Sequence, residues 1–126
     1  MGGKTRNIEW RQRSKEHYTT DNTTQVLAAT TDTCVLTHSF VKLDSSAGAV
    51  TTLTVPDGEP GQVLVLQSID ANDIDVTPTT SYGFTAIALD VIGDTAVLFW
   101  ANDTMGWIIL SLMSVAVDSS PAYTFE

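Results

Sequence analysis

The chain has 126 residues, 43% of them hydrophobic, and this length holds one hydrophobic core but not two ordinary ones. The composition excludes a wholly disordered protein. No run approaches the roughly 18 apolar residues that span a bilayer, and residues 1–6 lack the apolar stretch of a signal peptide, so we expect synthesis in the cytoplasm and no membrane partner.

The net charge of −9 is divided unevenly along the chain. In residues 1–15 the net charge is +4, because only Glu9 opposes the five basic residues Lys4, Arg6, Arg11, Arg13 and Lys15. From residue 16 onward Lys42 stands against fourteen acids, which gives −13. We call this acidic remainder of the chain the body. It repels phosphate, so we expect no nucleic acid partner, and its acidic surface favours solubility.

Residues 1–24 are predicted to form a basic N-terminal arm, followed by an acidic β domain over residues 25–126. Apolar residues in the arm fit neither a helical nor a strand period, and residues 19–24 form a polar hinge. Trp10 stands beside Arg11, and both residue types are enriched in binding hot spots. We therefore expect the arm to contact a partner through Arg6, Ile8, Trp10, Arg11, Arg13, Lys15 and Tyr18. The alternative is a solvated leader whose tryptophan contacts nothing.

Beyond the arm, short segments rich in Val, Ile, Leu and Thr alternate with turn-forming residues at close, fairly even intervals. This pattern predicts an all-β fold, a small antiparallel sandwich or barrel-like domain with an extended N-terminal arm. No long helix is expected outside the arm. The candidate strands lie near residues 33–43, 49–55, 62–69, 74–77, 84–90, 95–100 and 106–117.

The side-chain pattern within these segments predicts which faces are covered. In residues 49–55, alternation places Ala49, Thr51, Leu53 and Val55 on one buried face. Residues 63–66 and 107–110 are apolar on both faces, which indicates the centre of a sandwich or a subunit interface. The second of these runs gives the expected oligomer interface, which consists of Trp107, Ile109, Leu110 and Leu112.

Few side chains suggest chemistry. Cys34, the single cysteine, has apolar neighbours that favour a buried hydrophobe over a reactive thiol. His38, in an expected strand, favours a hydrogen-bonded structural role, and neither it nor His17 has a partner at metal-binding spacing. A Ser-His-Asp arrangement stays open from residue types alone, but no G-x-S-x-G motif supports one.

The acidic clusters fit catalytic and metal-binding templates poorly. Asp70, Asp73 and Asp75 lie in a tight loop, but Ile74 interrupts the calcium-loop pattern, and a solvated hairpin loop is the default. Asp57 and Glu59 could be considered as the two acids of a glycosidase, but they flank Gly58 in a turn where both are expected to stay exposed and ionised. Phosphate-binding glycine loops and paired cysteine motifs are absent from the sequence, so we expect no enzyme, no cofactor and no metal.

Trp100 and Trp107 bracket a turn at residues 102–106, which predicts that their rings pack across a hairpin. The alternative is a sugar-stacking platform that also uses Tyr82 and Phe84.

Five segments combine strand and turn residues in a distinctive way: residues 50–63 (VTTLTVPDGEPGQV), 75–80 (DVTPTT), 83–87 (GFTAI), 93–98 (GDTAVL) and 106–109 (GWII). They resemble a β-rich module of tailed-bacteriophage virion proteins, namely capsid decoration (cement) proteins, head fibres and parts of tail fibres. The resemblance covers about residues 48–112 and excludes the arm.

The resemblance implies a homo-oligomer on the surface of a virus particle, with a trimer favoured and a dimer possible, and it supplies no catalytic residues. Decoration of the head by binding the major capsid protein is the first expectation, because the chain is short and has no repeat, whereas a fibre needs a long repetitive shaft. The alternatives are a head-fibre or tail-fibre component, a host-glycan adhesin, or an enzyme.

Overall fold

The computed structural model describes residues 23–113 and 116–118, with the backbone alone for the last three. These residues form ten β-strands and no helix, which confirms the all-β prediction. The strands are β1 (Thr23–Val26), β2 (Thr31–Thr33), β3 (Phe40–Asp44), β4 (Val50–Val55), β5 (Val63–Ser68), β6 (Ile74–Pro78), β7 (Ala86–Leu89), β8 (Thr95–Trp100), β9 (Trp107–Met113) and β10 (Ala116–Asp118). None of the described residues belongs to a helix long and apolar enough to cross a membrane.

The strands form two five-stranded sheets with a shared core, which confirms the sandwich. Sheet A has the order β1-β3-β5-β8-β9, and sheet B has the order β10-β7-β6-β4-β2. From β1 to β6 the chain alternates between the sheets, so β1, β3 and β5 are parallel in sheet A and β2, β4 and β6 are parallel in sheet B. The remaining pairings are antiparallel, so the sandwich is mixed rather than wholly antiparallel.

The core lies between the sheets and is built mainly from alternate side chains of the strands β3 to β9. On β5, for example, Leu64 and Leu66 are fully buried, whereas Val63 and Val65 point to the other side and are half-buried. The alternation places polar side chains such as Thr52 and Thr54 on outer faces. Burial of the inward side chains supplies the main stabilising term.

A β-bulge in β4 changes the face assignment expected from strict alternation. The pairing with β6 shifts between Val50 and Leu53, so both of these residues are buried although an odd number of positions separates them. The prediction that Ala49 and Thr51 lie on the buried face was wrong, since both are exposed. Leu53 and Val55 are buried as predicted.

Two strand boundaries differ from the predictions made from the sequence. The segment predicted as one strand at 33–43 contains the last residue of β2, a loop at 34–39 and most of β3, and the two strands lie in different sheets. The segment predicted at 106–117 contains β9 and the start of β10, again in different sheets. At the other end, β1 begins at Thr23, two residues inside the predicted arm.

The strand directions define two ends of the sandwich. We call the end that carries the loops 34–39, 56–62, 79–85 and 101–106 the terminal end, because β1 begins there and β10 finishes there. The opposite end carries the loops 27–30, 45–49, 69–73 and 90–94. The N-terminal and C-terminal segments therefore join the body at the same end.

Candidate interaction surfaces

The outer side of sheet A carries a contiguous set of hydrophobic side chains. These residues alternate with core residues on four neighbouring strands, so they point away from sheet B. Each is half-buried, and neither described sheet packs over them. We call this set the apolar face, and it consists of Phe40 on β3, Val63 and Val65 on β5, Val97 and Phe99 on β8, and Ile108 on β9.

Strand register places the members of the apolar face side by side. Val65 lies between Phe40 on β3 and Val97 on β8. Phe99 lies between Val63 on β5 and Ile108 on β9. Directly opposed side chains on neighbouring strands are in contact range, so the two rows form one patch. The rows lie toward the terminal end, because β3, β5 and β9 begin there.

The outer side of sheet B has a different character. Thr33, Thr54 and Thr77 lie in register across β2, β4 and β6, and small or polar side chains continue this surface on β7. Threonine suits a strand that faces water, because its branched side chain favours extended backbone while its hydroxyl remains solvated. The two outer surfaces of the sandwich therefore differ, and only that of sheet A resembles a core face.

The charges of the body avoid the apolar face. Within residues 23–113 and 116–118, Lys42 is the one basic residue against eleven acids. Lys42 borders the apolar face in a polar row formed with Gln67 and Thr95, whose side chains are hydrogen-bonded at 3.1 Å from Nε2 to Oγ1. Among the described residues of sheet A, the acid that points outward is Asp44, which lies farther toward the opposite end of the sandwich.

The oligomer interface expected from the sequence falls on β9, and its four residues are placed differently. Trp107 and Ile109 are buried in the core and offer little surface to a second chain. Leu112 is partly buried against the same core. Leu110, at the bulge opposite Val97 and Leu98, is 49% exposed. The contribution of β9 to an interface stays a prediction, and Leu110 is the member of that set that is available for contact.

Two further exposed hydrophobic groups lie at the ends of the sandwich. Val91 and Ile92 form the tip of the 90–94 turn at the opposite end, and Met113 closes β9 at that same end. Tyr82 is 62% exposed at the terminal end, where its backbone N–H donates to the carbonyl of Trp107. Single exposed hydrophobic residues are ordinary in soluble proteins, so these carry less weight than the apolar face.

The predicted packing of the two hairpin tryptophans is confirmed. Trp100 and Trp107 are register partners, both are buried, and their rings meet edge to face. Phe84 is also buried, so Tyr82 is the one exposed member of the four aromatic residues proposed as a sugar-stacking platform. A platform of adjacent exposed rings is therefore not formed by these residues.

His38 and Cys34 have structural environments. His38 lies in the 34–39 loop rather than in a strand, and its Nδ1 is hydrogen-bonded to Thr23 and, at 3.1 Å, to Thr37 through their hydroxyl groups. The predicted hydrogen-bonded role of this histidine is confirmed. Cys34 is buried as predicted, and burial, followed by the nearby Asp32 carboxylate, raises the pKa of its thiol from 9.0 to about 12.

The acidic side chains considered as sites make local hydrogen bonds. The Asp70 carboxylate accepts from the backbone N–H groups of Ala71 and Asn72. Asp57 is exposed as expected and accepts from the hydroxyls of Thr79 and Thr80. Within the described part of the chain, no group of three or more His, Cys, Asp or Glu residues is arranged to hold a metal ion.

Hydrogen bonds from nearby backbone and hydroxyl groups to a carboxylate also shape two further loops. The carboxylate of Asp94, which is buried, accepts the backbone N–H groups of Asp90 and Val91 and so shapes the 90–94 turn. Hydrogen bonds from the hydroxyl and the backbone N–H of Ser46 lower the pKa of the Asp44 carboxyl. These bonds resemble the side-chain bonds that stabilise turns generally.

The predicted partner contacts of the arm lie outside the described residues, as does His17. These contacts are Arg6, Ile8, Trp10, Arg11, Arg13, Lys15 and Tyr18. They precede Thr23, so the segment that contains them is joined to the terminal end of the body.

No protein-family model matches the chain, and no curated protein matches it.

Proposed function

We propose that the protein is a structural component of a tailed-bacteriophage virion. It decorates the outer surface of the assembled head, where its basic arm contacts the major capsid protein and the acidic surfaces of its body face solvent. It acts by binding and not by catalysis. A protein that binds the assembled shell and not its free subunits stabilises the shell by mass action, by about 2.7 kcal/mol per site at a hundredfold excess over its dissociation constant.

The observation that carries this proposal is the apolar face on an otherwise acidic body. A contiguous hydrophobic patch on a soluble domain marks a surface that is covered in an assembly. The resemblance of residues 48–112 to phage virion modules supplies the kind of assembly. The separation of a +4 arm from a strongly acidic remainder supports two surfaces with different neighbours.

Binding to particles tests the proposal. Purified particles that carry the protein are first sought by mass spectrometry and located by image reconstruction. Particles that lack it are then titrated with the full chain and with a chain that begins at residue 19. We expect saturable binding of the full chain and no measurable binding of the truncated one, because the truncated chain lacks the predicted hot-spot residues.

Single-charge variants provide a matched control. Arg13→Gln removes one positive charge from the arm, and Lys42→Gln removes one from the body, so both change the net charge of the chain equally. Arg13→Gln and Trp10→Ala are expected to weaken binding, Trp10→Ala by about tenfold or more, whereas Lys42→Gln leaves it unchanged. Equal occupancy by the truncated chain, or absence of the protein from particles, would contradict the proposal.

A further inference from the structure

We infer that copies of this chain associate with one another through the apolar face of sheet A. The occupant of the face is therefore the same face of a second copy, related to the first by a two-fold axis. This inference deepens the proposed function by assigning the surface that holds a homo-oligomer together, and it rests on that function only for its biological setting.

The first argument is the chemistry of the face. Its six members form two register-matched rows without an intervening polar residue on β5 and β8, the central and adjacent strands of sheet A. The side chains are β-branched or aromatic, as in the inner faces of β-sandwiches, where two sheets pack about 10 Å apart. A second apolar sheet is the partner that such a surface fits best.

The second argument is electrostatic. The described part of the body carries eleven acids and one lysine, so most pairs of surfaces on two copies would bring carboxylates together. Unfavourable juxtaposition of like charges costs several kcal/mol at an interface. The apolar face contains no charged residue. The charged residue in the neighbouring row of paired strand positions is Lys42, which is basic. Two copies therefore meet there without bringing carboxylates face to face.

The third argument is the contrast with sheet B. Both sheets have five strands, and both have one outer side that the other sheet does not cover. The outer side of sheet B has the threonines expected of a solvated surface, with Thr33, Thr54 and Thr77 in register. If solvent covered both outer sides in the functional protein, the fold itself would give no reason for sheet A to carry Phe40, Val65, Val97 and Phe99 outward.

The test compares matched substitutions on the two outer surfaces. Val65→Lys places a charge in the apolar face, and Thr54→Lys places the same charge on the outer side of sheet B. Both side chains are half-buried and point outward, and both lie on strands that have a neighbouring strand on each side. The mass of each full-length variant is measured by analytical ultracentrifugation over a concentration series. We expect multiples of 13.6 kDa for the unchanged chain and for Thr54→Lys, and at least a tenfold higher dissociation constant for Val65→Lys.

A second variant guards against loss of folding. Val65→Thr with Val97→Thr gives sheet A the same residue type that sheet B carries, and threonine keeps the branched shape and strand preference of valine. Circular dichroism is expected to show a cooperative thermal transition for this variant, together with weakened association. Folded Val65→Thr/Val97→Thr protein that associates as tightly as the unchanged chain would overturn the inference.

Other outcomes are equally decisive. A full chain that stays at 13.6 kDa up to about 100 μM overturns self-association. If removal of residues 1–18 abolishes association while Val65→Lys does not, the arm and not the apolar face holds the copies together. The measurement uses no particles, so failure here leaves the binding of the arm to a shell to be judged by its own titration.

Discussion

Trp100 and Trp107 face each other across the β8–β9 hairpin, with ring centroids 5.4 Å apart and ring planes inclined at 78°. Trp107 Nε1 donates to the carbonyl of Pro56 at 2.9 Å, and Trp100 Nε1 donates to the Asp103 carboxylate at 3.3 Å. The pair therefore connects the hairpin to the 56–62 loop at the terminal end. Edge-to-face packing of this kind contributes roughly 0.5–1.5 kcal/mol beyond the area it buries.

Gly58 is expected to be intolerant of a side chain because the ring of Trp107 lies against it. A Cβ at position 58 would lie 2.8 Å from Cζ2 of Trp107 and 2.8 Å from Oε1 of Gln62. Gln62 accepts a hydrogen bond from Glu59 through the same oxygen, so its movement also disturbs the loop. We expect Gly58→Ala to lower the free energy of unfolding by roughly 1–3 kcal/mol, measured by urea denaturation.

A double-mutant cycle separates this clash from other effects. Trp107→Phe shortens the ring and removes the contact with position 58, at its own cost in stability. In that background we expect Gly58→Ala to be less harmful than in the unchanged chain. Additive losses for the two substitutions would show that the tryptophan ring does not limit position 58.

Gly106 combines a left-handed backbone with a close contact. Its φ is +73°, and a Cβ there would lie 2.4 Å from the Thr80 carbonyl oxygen. Gly93 is the matched control, since its φ is +92° but a Cβ would meet nothing within 4 Å. We expect Gly93→Ala to cost about 1–2 kcal/mol from backbone strain alone and Gly106→Ala to cost more. Similar melting temperatures for the two variants would contradict the steric argument.

The strands from β4 to β8 were predicted from the sequence within two residues at each end, because each lies between segments of turn-forming residues. The hairpin at residues 102–106 was predicted because two tryptophans flank residues that form turns. The beginning of the domain was harder. An apolar run that includes Cys34 and Val35 suggested one long strand, but the chain crosses between sheets there, and the N–H of Cys34 donates to the Thr54 carbonyl of sheet B.

The mixed topology had no signal in the sequence. Short loops, commonly of about two to five residues, typically join antiparallel neighbours in a hairpin. Here short loops such as 27–30 and 45–49 connect strands of different sheets, and strands of the same sheet become parallel only because the chain returns after each crossing. The apolar face was found in part, since residues 63–66 were recognised as apolar on both sides. Val97 and Phe99 were missed, although residues 96–100 show the same doubly apolar pattern.

Asp94 is expected to determine the stability of the 90–94 turn. Its buried carboxylate accepts the N–H groups of Asp90 and Val91 at 3.1 Å each, and its removal leaves both donors without this acceptor. We expect Asp94→Ala to cost roughly 1–3 kcal/mol by urea denaturation. Asp73→Ala changes the net charge equally at an exposed position and is expected to have little effect. Equal losses for the two variants would indicate a charge effect in place of lost hydrogen bonds.

Cys34 is expected to give the fold an alkaline limit. Burial holds its pKa near 12 in the folded protein, against 9.0 for an ordinary thiol. Below pH 9 both states keep the proton; between pH 9 and 12 the unfolded chain releases it and the folded chain does not. The folded state then binds more protons, so stability falls as pH rises, by at most about 1.4 kcal/mol per pH unit.

Because tyrosines titrate over the same range, the effect is measured as a difference from Cys34→Ala. Urea denaturation of both proteins at pH 8 and pH 10.5 is expected to show about 2 kcal/mol more loss for the unchanged chain, the linkage value for a thiol whose pKa rises from 9.0 to about 12. The alanine variant starts from a lower stability because a buried side chain is shortened, but its dependence on pH is shallower. Equal pH dependence in the two proteins would mean that the thiol loses its proton as readily in the folded state as in the unfolded one.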